Sequence, residues 1–179
     1  MTRTANLYYS VMESPVGPMT LACTKKGLCR IDYQAGDSVL RNLIRWSRQH
    51  FLTDQIQEDD QALQDVKQQL DEYFRGERKS FDYPLELVGT SFQKLVWKTL
   101  RNIPYGEVRS YKEIAQMIGS PKAVRAIGGA NNKNHIPIII PCHRVIGSNG
   151  ALVGYGGGLH IKEHLLEIEG YLPMSSKKA

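Results

Sequence analysis

The residues best suited to chemistry lie together at Cys142-His143-Arg144, directly after the apolar run Ile136-Pro137-Ile138-Ile139-Ile140-Pro141. The thiolate is the nucleophilic form of cysteine, and positive surroundings such as His143 and Arg144 lower a thiol pKa. At an ordinary pKa of about 8.5, only a few per cent of a thiol is ionised at neutral pH, so a neighbouring base multiplies the nucleophile. Sequence neighbours seldom face each other, so His143 is expected to act through a water and to need an orienting carboxylate. Downstream only Glu163, Glu167 and Glu169 supply one. Pro141 cannot extend a central strand, which predicts an irregular turn that presents the thiol. Six glycines between Gly147 and Gly158 give flexible backbone for a pocket wall. The bland alternative is a cysteine packed inertly at the end of an apolar run.

These residues need elements to position them. Thr90 or Ser91 is placed to cap a helix carrying Phe92, Leu95, Val96, Leu100 and Ile103, which stops at Pro104-Tyr105-Gly106. Ser110, with Glu113 three residues on, has capping-box spacing for a helix ending at Gly119. Ser120 with Pro121 predicts a third start, for a helix running towards Asn131. Two short helices joined by a Gly-Ser turn, the second basic, resemble a helix-turn-helix, although a plain helical hairpin has the same pattern. The second helix presents Ala123, Ala126, Gly128, Gly129 and Ala130, with Arg125 nearly alone as a long side chain. Paired helical glycines make sense where another backbone or a nucleic acid comes close. The isolated arginine could then probe a groove or a base stack.

The first half reads as α/β. Leu7–Met12, Met19–Cys23 and Leu28–Tyr33 form β-rich runs separated by turn signals, a three-strand meander. Helical patterns follow from about Asp37 to Phe51 and from about Gln61 to Arg75, the latter stopped by Gly76. Thr53 to Asp60 between them is polar and reads as a solvated loop. Cys23 and Cys29 read as packing residues, because no second Cys/His pair accompanies them to complete a zinc site.

Charge divides along the same line. Residues 1–89 carry 11 basic and 13 acidic side chains, a net of −2, whereas residues 90–179 carry 12 and 5, a net of +7. A basic half points to a polyanion, most often nucleic acid. Hydrophobic residues at 41% and charged residues at 23% exclude a wholly disordered chain. No apolar stretch nears the ~20 residues that span a bilayer. Residues 1–6 contain no apolar core of a secretory signal, and three cysteines are too few for a disulfide framework, so a cytoplasmic setting is expected.

The second half resembles a known family. The segment I-P-C-H-R-V at 140–145 is similar to the active-site signature of the O6-alkylguanine-DNA alkyltransferases, the methylated-DNA–protein-cysteine methyltransferases. F-Q-K-L-V-W at 92–97, I-P-Y-G-E-V at 103–108 and R-A-I-G-G-A-N at 125–131 resemble it in register. So do G-Y-G-G-G at 154–158, K-E-H-L-L at 162–166 and E-G at 169–170.

The resemblance implies a ribonuclease H-like α/β scaffold with a small antiparallel sheet over residues 1–89. A mostly α winged-helix or helix-turn-helix domain would follow over 90–172, with a disordered tail at 173–179. It implies direct repair of DNA, with Cys142 accepting the alkyl group of O6-alkylguanine, and of O4-alkylthymine in some cases, once and irreversibly. His143 would take the thiol proton, Glu169 would hold the imidazole, and Asn134 would be a hinge. Tyr111 would donate a proton to the base and crowd its phosphate. Arg125 would fill the gap left by the flipped nucleotide, with Ala123, Ala126 and Gly128 in the minor groove. The carbonyls of Cys142 and Val145 would bind the exocyclic amine, and Pro137, Tyr155 and Gly156 would line the pocket. Family members often have serine where this chain has Gly156. The implied protein works as a monomer on double-stranded DNA, with no membrane, no metal and no cofactor. The competing readings are a regulatory or lesion-sensing helix-turn-helix protein without catalysis, and a Cys-His hydrolase.

Overall fold

The strand-forming runs of the first half pair as β1 (Leu7–Met12), β2 (Met19–Thr24) and β3 (Gly27–Asp32), an antiparallel meander. This is a computed structural model, which describes residues 6–174 and divides the chain into two compact units, 1–88 and 89–179. The expected tail at 173–179 lies outside the described residues except for Pro173 and Met174, as do residues 1–5.

Helix α1 (Asp37–Phe51) lays Leu43 and Trp46 on Leu7, Ala22 and Cys29 of the sheet. The residues between α1 and the next helix depart from the sequence expectation. Within the polar stretch 53–60, β4 (Ile56–Glu58) pairs parallel to β1, so the sheet runs β3-β2-β1-β4 and is mixed, not antiparallel. An edge strand of three residues is held by backbone hydrogen bonds and leaves Gln57 and Glu58 exposed, so its composition reads as loop. Helix α2 (Gln64–Phe74) buries Val66, Leu70, Tyr73 and Phe74 and closes at Gly76 in the left-handed conformation. At the other edge Gly27 is indispensable: a Cβ there would stand 2.3 Å from the Pro84 carbonyl oxygen. Its absence lets residues 84–86 run along β3, with Leu28 N–H donating to Pro84 and Glu86 N–H to Leu28.

The second unit is helical. Helix α3 (Ser91–Leu100) starts at a Thr90–Gln93 capping box and carries the buried Trp97, whose Nε1 donates to the Ala130 carbonyl at 2.8 Å. The short strand β5 (Arg109–Ser110) leads into α4 (Tyr111–Met117), which begins at the Ser110–Glu113 capping box. After α4, Gly119 N–H donates to Gln116 and Ser120 N–H to Ala115, the two bonds of a Schellman closure. That closure explains a second departure. Ser120 and Pro121 do not start the next helix, because Ser120 is finishing the previous one and its carbonyl accepts from Ala123 in a turn with Pro121. Helix α5 (Val124–Asn132) therefore begins with Ala123 as N-cap, which places Ala123 ahead of the helix and not on its face. The chain continues through a 3-10 turn at Cys142–Arg144 into β6 (Val145–Ile146), parallel to β5, and then into α6 (Leu159–Ile168). No helix among the described residues is long and apolar enough to cross a membrane.

The cap at Ser110 fixes where Tyr111 enters α4. Ser110→Ala is expected to cost about 1 kcal/mol, the usual worth of such a cap, read as a lowered urea midpoint with an unchanged m-value.

Candidate active site

Cys142 is delivered by a strained turn. Ile138, β-branched and buried, sits at φ 74, a conformation that surrounding contacts must enforce. Pro141 (φ −81, ψ 63) forms an inverse γ-turn in which Cys142 N–H donates to Ile140 O at 2.8 Å. Asn134 clamps the loop, giving Nδ2 to Ile140 O at 2.8 Å and accepting from Ile136 N at 2.9 Å. The expected irregular turn is present, but it does not present the thiol outward: Cys142 is 4% exposed.

Burial pushes the Cys142 thiol up to about 11, against hydrogen bonding from Asn134, the charge of Lys162 and hydrogen bonding from Tyr155. The expected lowering by His143 and Arg144 is absent for a geometric reason, since both side chains turn to Glu169. His143 Nε2 lies 2.5 Å from Glu169 Oε2, and Arg144 gives Nε to Oε1 at 2.7 Å and Nη2 to Oε2 at 3.2 Å. Gly106 N–H adds a bond to Oε1 at 3.3 Å, and Arg144 Nη1 donates to Ile103 O at 2.6 Å. Burial alone raises the Glu169 carboxyl, but hydrogen bonding and charge from His143 and Arg144 outweigh it and hold the group at about 2. Burial holds the His143 ring below its usual range despite the pull of Glu169, so the imidazole is neutral at pH 7. An ionised carboxylate can only accept, so Nε2 carries the proton and Nδ1 is a bare lone pair. That Nδ1 is buried and has no hydrogen-bond partner.

A second group surrounds the thiol from the helices. Tyr111, half-buried at the start of α4, donates its hydroxyl to Val153 O at 3.3 Å, and burial raises its pKa. Lys162, fully buried in α6, gives Nζ to Val145 O at 2.6 Å and to Val153 O at 3.0 Å, and burial brings it down to about 8. The Val145 carbonyl, expected to serve an exocyclic amine, thus already has a donor. Tyr155 reaches the thiol, and Pro137 is buried in the Cys142 loop. Gly156 is exposed with ordinary room for a side chain, its Cβ position being 3.8 Å from Asn132 O. The structure therefore gathers Cys142, Asn134, Tyr111, Tyr155 and Lys162 in one group, and His143, Arg144 and Glu169 in a second that adjoins it through the 3-10 turn.

Arg125 and Ala126 lie apart, on the exposed face of α5 with Val124 and Gly129, and Gly128 is half-buried against Tyr111. Arg125 has no ion pair among the described residues. A Cβ at Gly129 would meet nothing, so no internal packing demands that glycine. A cleft of about 520 Å³ lined by Ser120, Pro121, Lys122 and Ala123 sits at the turn between α4 and α5, away from the thiol.

Two residues escaped the sequence reading, Lys162 and Asn131. Each is polar and occupies the inward stripe of its helix, Lys162 with Leu165 and Leu166, and Asn131 with Ile127. That misplacement was the available signal.

Comparison with known proteins matches two family models: residues 7–87 to the ribonuclease-like domain of 6-O-methylguanine DNA methyltransferase, and residues 91–171 to its DNA binding domain. A methylated-DNA–protein-cysteine methyltransferase of Methanosarcina acetivorans is 48% identical over 164 residues, 92% of this chain and 99% of that protein. The constitutive one of Bacillus subtilis is 47% identical over 163 residues, 90% of this chain and 94% of that protein. Among solved structures, Mycobacterium tuberculosis OGT in complex with DNA superposes with a TM-score of 0.78 at 46% identity, covering 90% of this chain and 92% of that one.

A thiol held up at about 11 stays protonated in the free protein. The thiolate absorbance at 240 nm, taken as the difference between the protein and Cys142→Ser, should show no step for Cys142 below about pH 9. A step centred between pH 7 and 8 would mean that the thiol is activated before substrate arrives.

Proposed function

The chain belongs to the 6-O-methylguanine DNA methyltransferase family, and from that premise we infer that it repairs DNA by moving an alkyl group from O6-alkylguanine to the sulfur of Cys142. The observation that carries the reading is the bare, buried Nδ1 of a neutral His143 whose other nitrogen is committed to Glu169. It is a proton acceptor kept empty on the residue that follows a protonated thiol in the chain.

The thiol proton passes through a water to His143 Nδ1, and the resulting imidazolium is stabilised by Glu169. The sulfur attacks the alkyl carbon, forming an S–C bond as the C–O6 bond breaks and its electron pair returns to the guanine. The Tyr111 hydroxyl supplies a proton to the ring nitrogen of the leaving base. Lys162 places a positive charge near the sulfur while it is anionic. A thioether is not hydrolysed by such a site, so each molecule acts once, and no step calls on a metal or cofactor.

Cys142 is almost wholly buried, so a base inside a duplex cannot reach it, whereas an extruded nucleotide can. Ala126, Gly128 and Gly129 make a low surface suited to the narrow minor groove. Arg125 stands beyond it to occupy the vacated stack, and Asn134 serves as the hinge between α5 and the Cys142 loop. The second unit then works as a winged-helix module, and the first is a ribonuclease H-like scaffold without that fold's chemistry. Among the described residues no three His, Cys, Asp or Glu side chains converge as metal ligands. Neither the regulatory nor the hydrolytic reading has an observation in its favour.

Mixing the protein with O6-methylguanine DNA should add one methyl group to the peptide containing Cys142, by mass spectrometry, at one event per molecule. Repair by Cys142→Ala, or repair continuing past one equivalent, would sink the mechanism. Gly129→Ala separates folding from binding: it should raise stability by up to about 1 kcal/mol, the helix preference for alanine. The same variant should bind duplex DNA more weakly in a titration, because the added methyl group stands where the groove must approach.

A further inference from the structure

Asn131 is a buried polar side chain beside the nucleophile to which the mechanism above gives no work. It lies at an inward position of α5, 2% exposed, with Nδ2 donating to the Cys142 carbonyl at a long 3.4 Å. Its Oδ1 is buried without a hydrogen-bond partner. Its amide also faces the Tyr111 phenol and favours the ionised form of that group against burial. Gly128, one turn earlier on α5, keeps the helix against the Tyr111 ring, 3.9 Å from its Cβ position.

Folding does not account for an asparagine here. A buried acceptor without a donor costs stability, and asparagine is a poor helix former. The Cys142 carbonyl keeps the Val145 N–H whether or not Asn131 is present. An apolar residue of similar size would serve the core at least as well. Groups that weaken a fold yet sit between two reacting residues are placed for the reaction.

We propose that Asn131 is a positioning residue for the transfer, its amide holding the Tyr111 phenol and the Cys142 peptide in register so that proton donor and nucleophile meet one base from fixed positions. The inference rests on the alkyl-transfer reading and deepens it.

Asn131→Leu tests it, with Asn131→Met in parallel so that one badly folding variant does not decide the matter. Each is measured alone and combined with Tyr111→Phe. The readouts are thermal midpoint, affinity for undamaged duplex DNA, and the second-order rate of methyl transfer from O6-methylguanine DNA to Cys142. The expected result is a midpoint at or above that of the parent, unchanged affinity, and a rate lowered about tenfold, a usual coupling between residues in contact. The double variant should be no slower than Tyr111→Phe alone. Parental rates in the variants, or losses that multiply with that of Tyr111→Phe, would overturn the role. A fall in midpoint that accompanies and accounts for the lost rate would overturn it too, since that is the mark of a structural residue. Absence of transfer by the parent protein would instead remove the alkyl-transfer premise itself.

Discussion

The second unit depends on one buried carboxylate. Glu169 lies at the C-terminal end of α6 and takes hydrogen bonds from His143, from Arg144 through two nitrogens, and from the Gly106 backbone. Burying a lone carboxylate is prohibitively costly, and burying a lone guanidinium equally so. Each group is therefore tolerable only because the other is present, and the constraint propagates. Arg144 must extend to Glu169, which fixes the 3-10 turn that carries Cys142. It also reaches Ile103 O, which ties the end of the α3 segment to the same point. The position of the thiol follows from satisfying these charges.

In the proposed mechanism the same pairing sets the chemistry. A second carboxylate or an unpaired lysine in place of Arg144 would shift the balance that keeps His143 neutral with Nδ1 open. Lys162 shows the opposite design. Among the described residues no carboxylate pairs with it and two carbonyls hold it, so its charge remains directed towards the sulfur. Within one small volume the cation paired with Glu169 serves structure, and in the proposed mechanism the cation held by carbonyls serves the nucleophile.

How far these features are legible in the sequence depends on how local their causes are. The Ser110–Glu113 box and the stop at Gly119 depend on neighbours within four residues, the three strand runs pair with the next run across a short turn, and all are present. Ser120-Pro121 carries an equally good local signal for a helix start. It is overridden because the Schellman closure of α4 claims the Ser120 N–H first. Strand β4 is invisible because its partner is some fifty residues away and its bonds are backbone only. The Cys142-His143-Arg144 cluster was legible as chemistry, but its electrostatics were not. Adjacent residues on a 3-10 turn point in different directions, and the thiol therefore meets Asn134, Lys162 and Tyr155 in place of its sequence neighbours.

The high thiol pKa looks unsuited to a nucleophile and is better understood as suited to a nucleophile used once. At a pKa of about 11, roughly one molecule in ten thousand holds a thiolate at pH 7. An enzyme that turns over can tolerate side reactions of its cysteine, but here each one would consume a protein molecule. Burial therefore protects the thiol, and in the proposed mechanism the bare Nδ1 of His143 provides the route to activation. On that proposal the proton need leave only when an extruded base has closed the site and its alkyl carbon stands against the sulfur. The Coulomb attraction of Lys162 then acts in a volume with little water, where it is strongest. Reactivity is in this way made conditional on the arrival of the lesion.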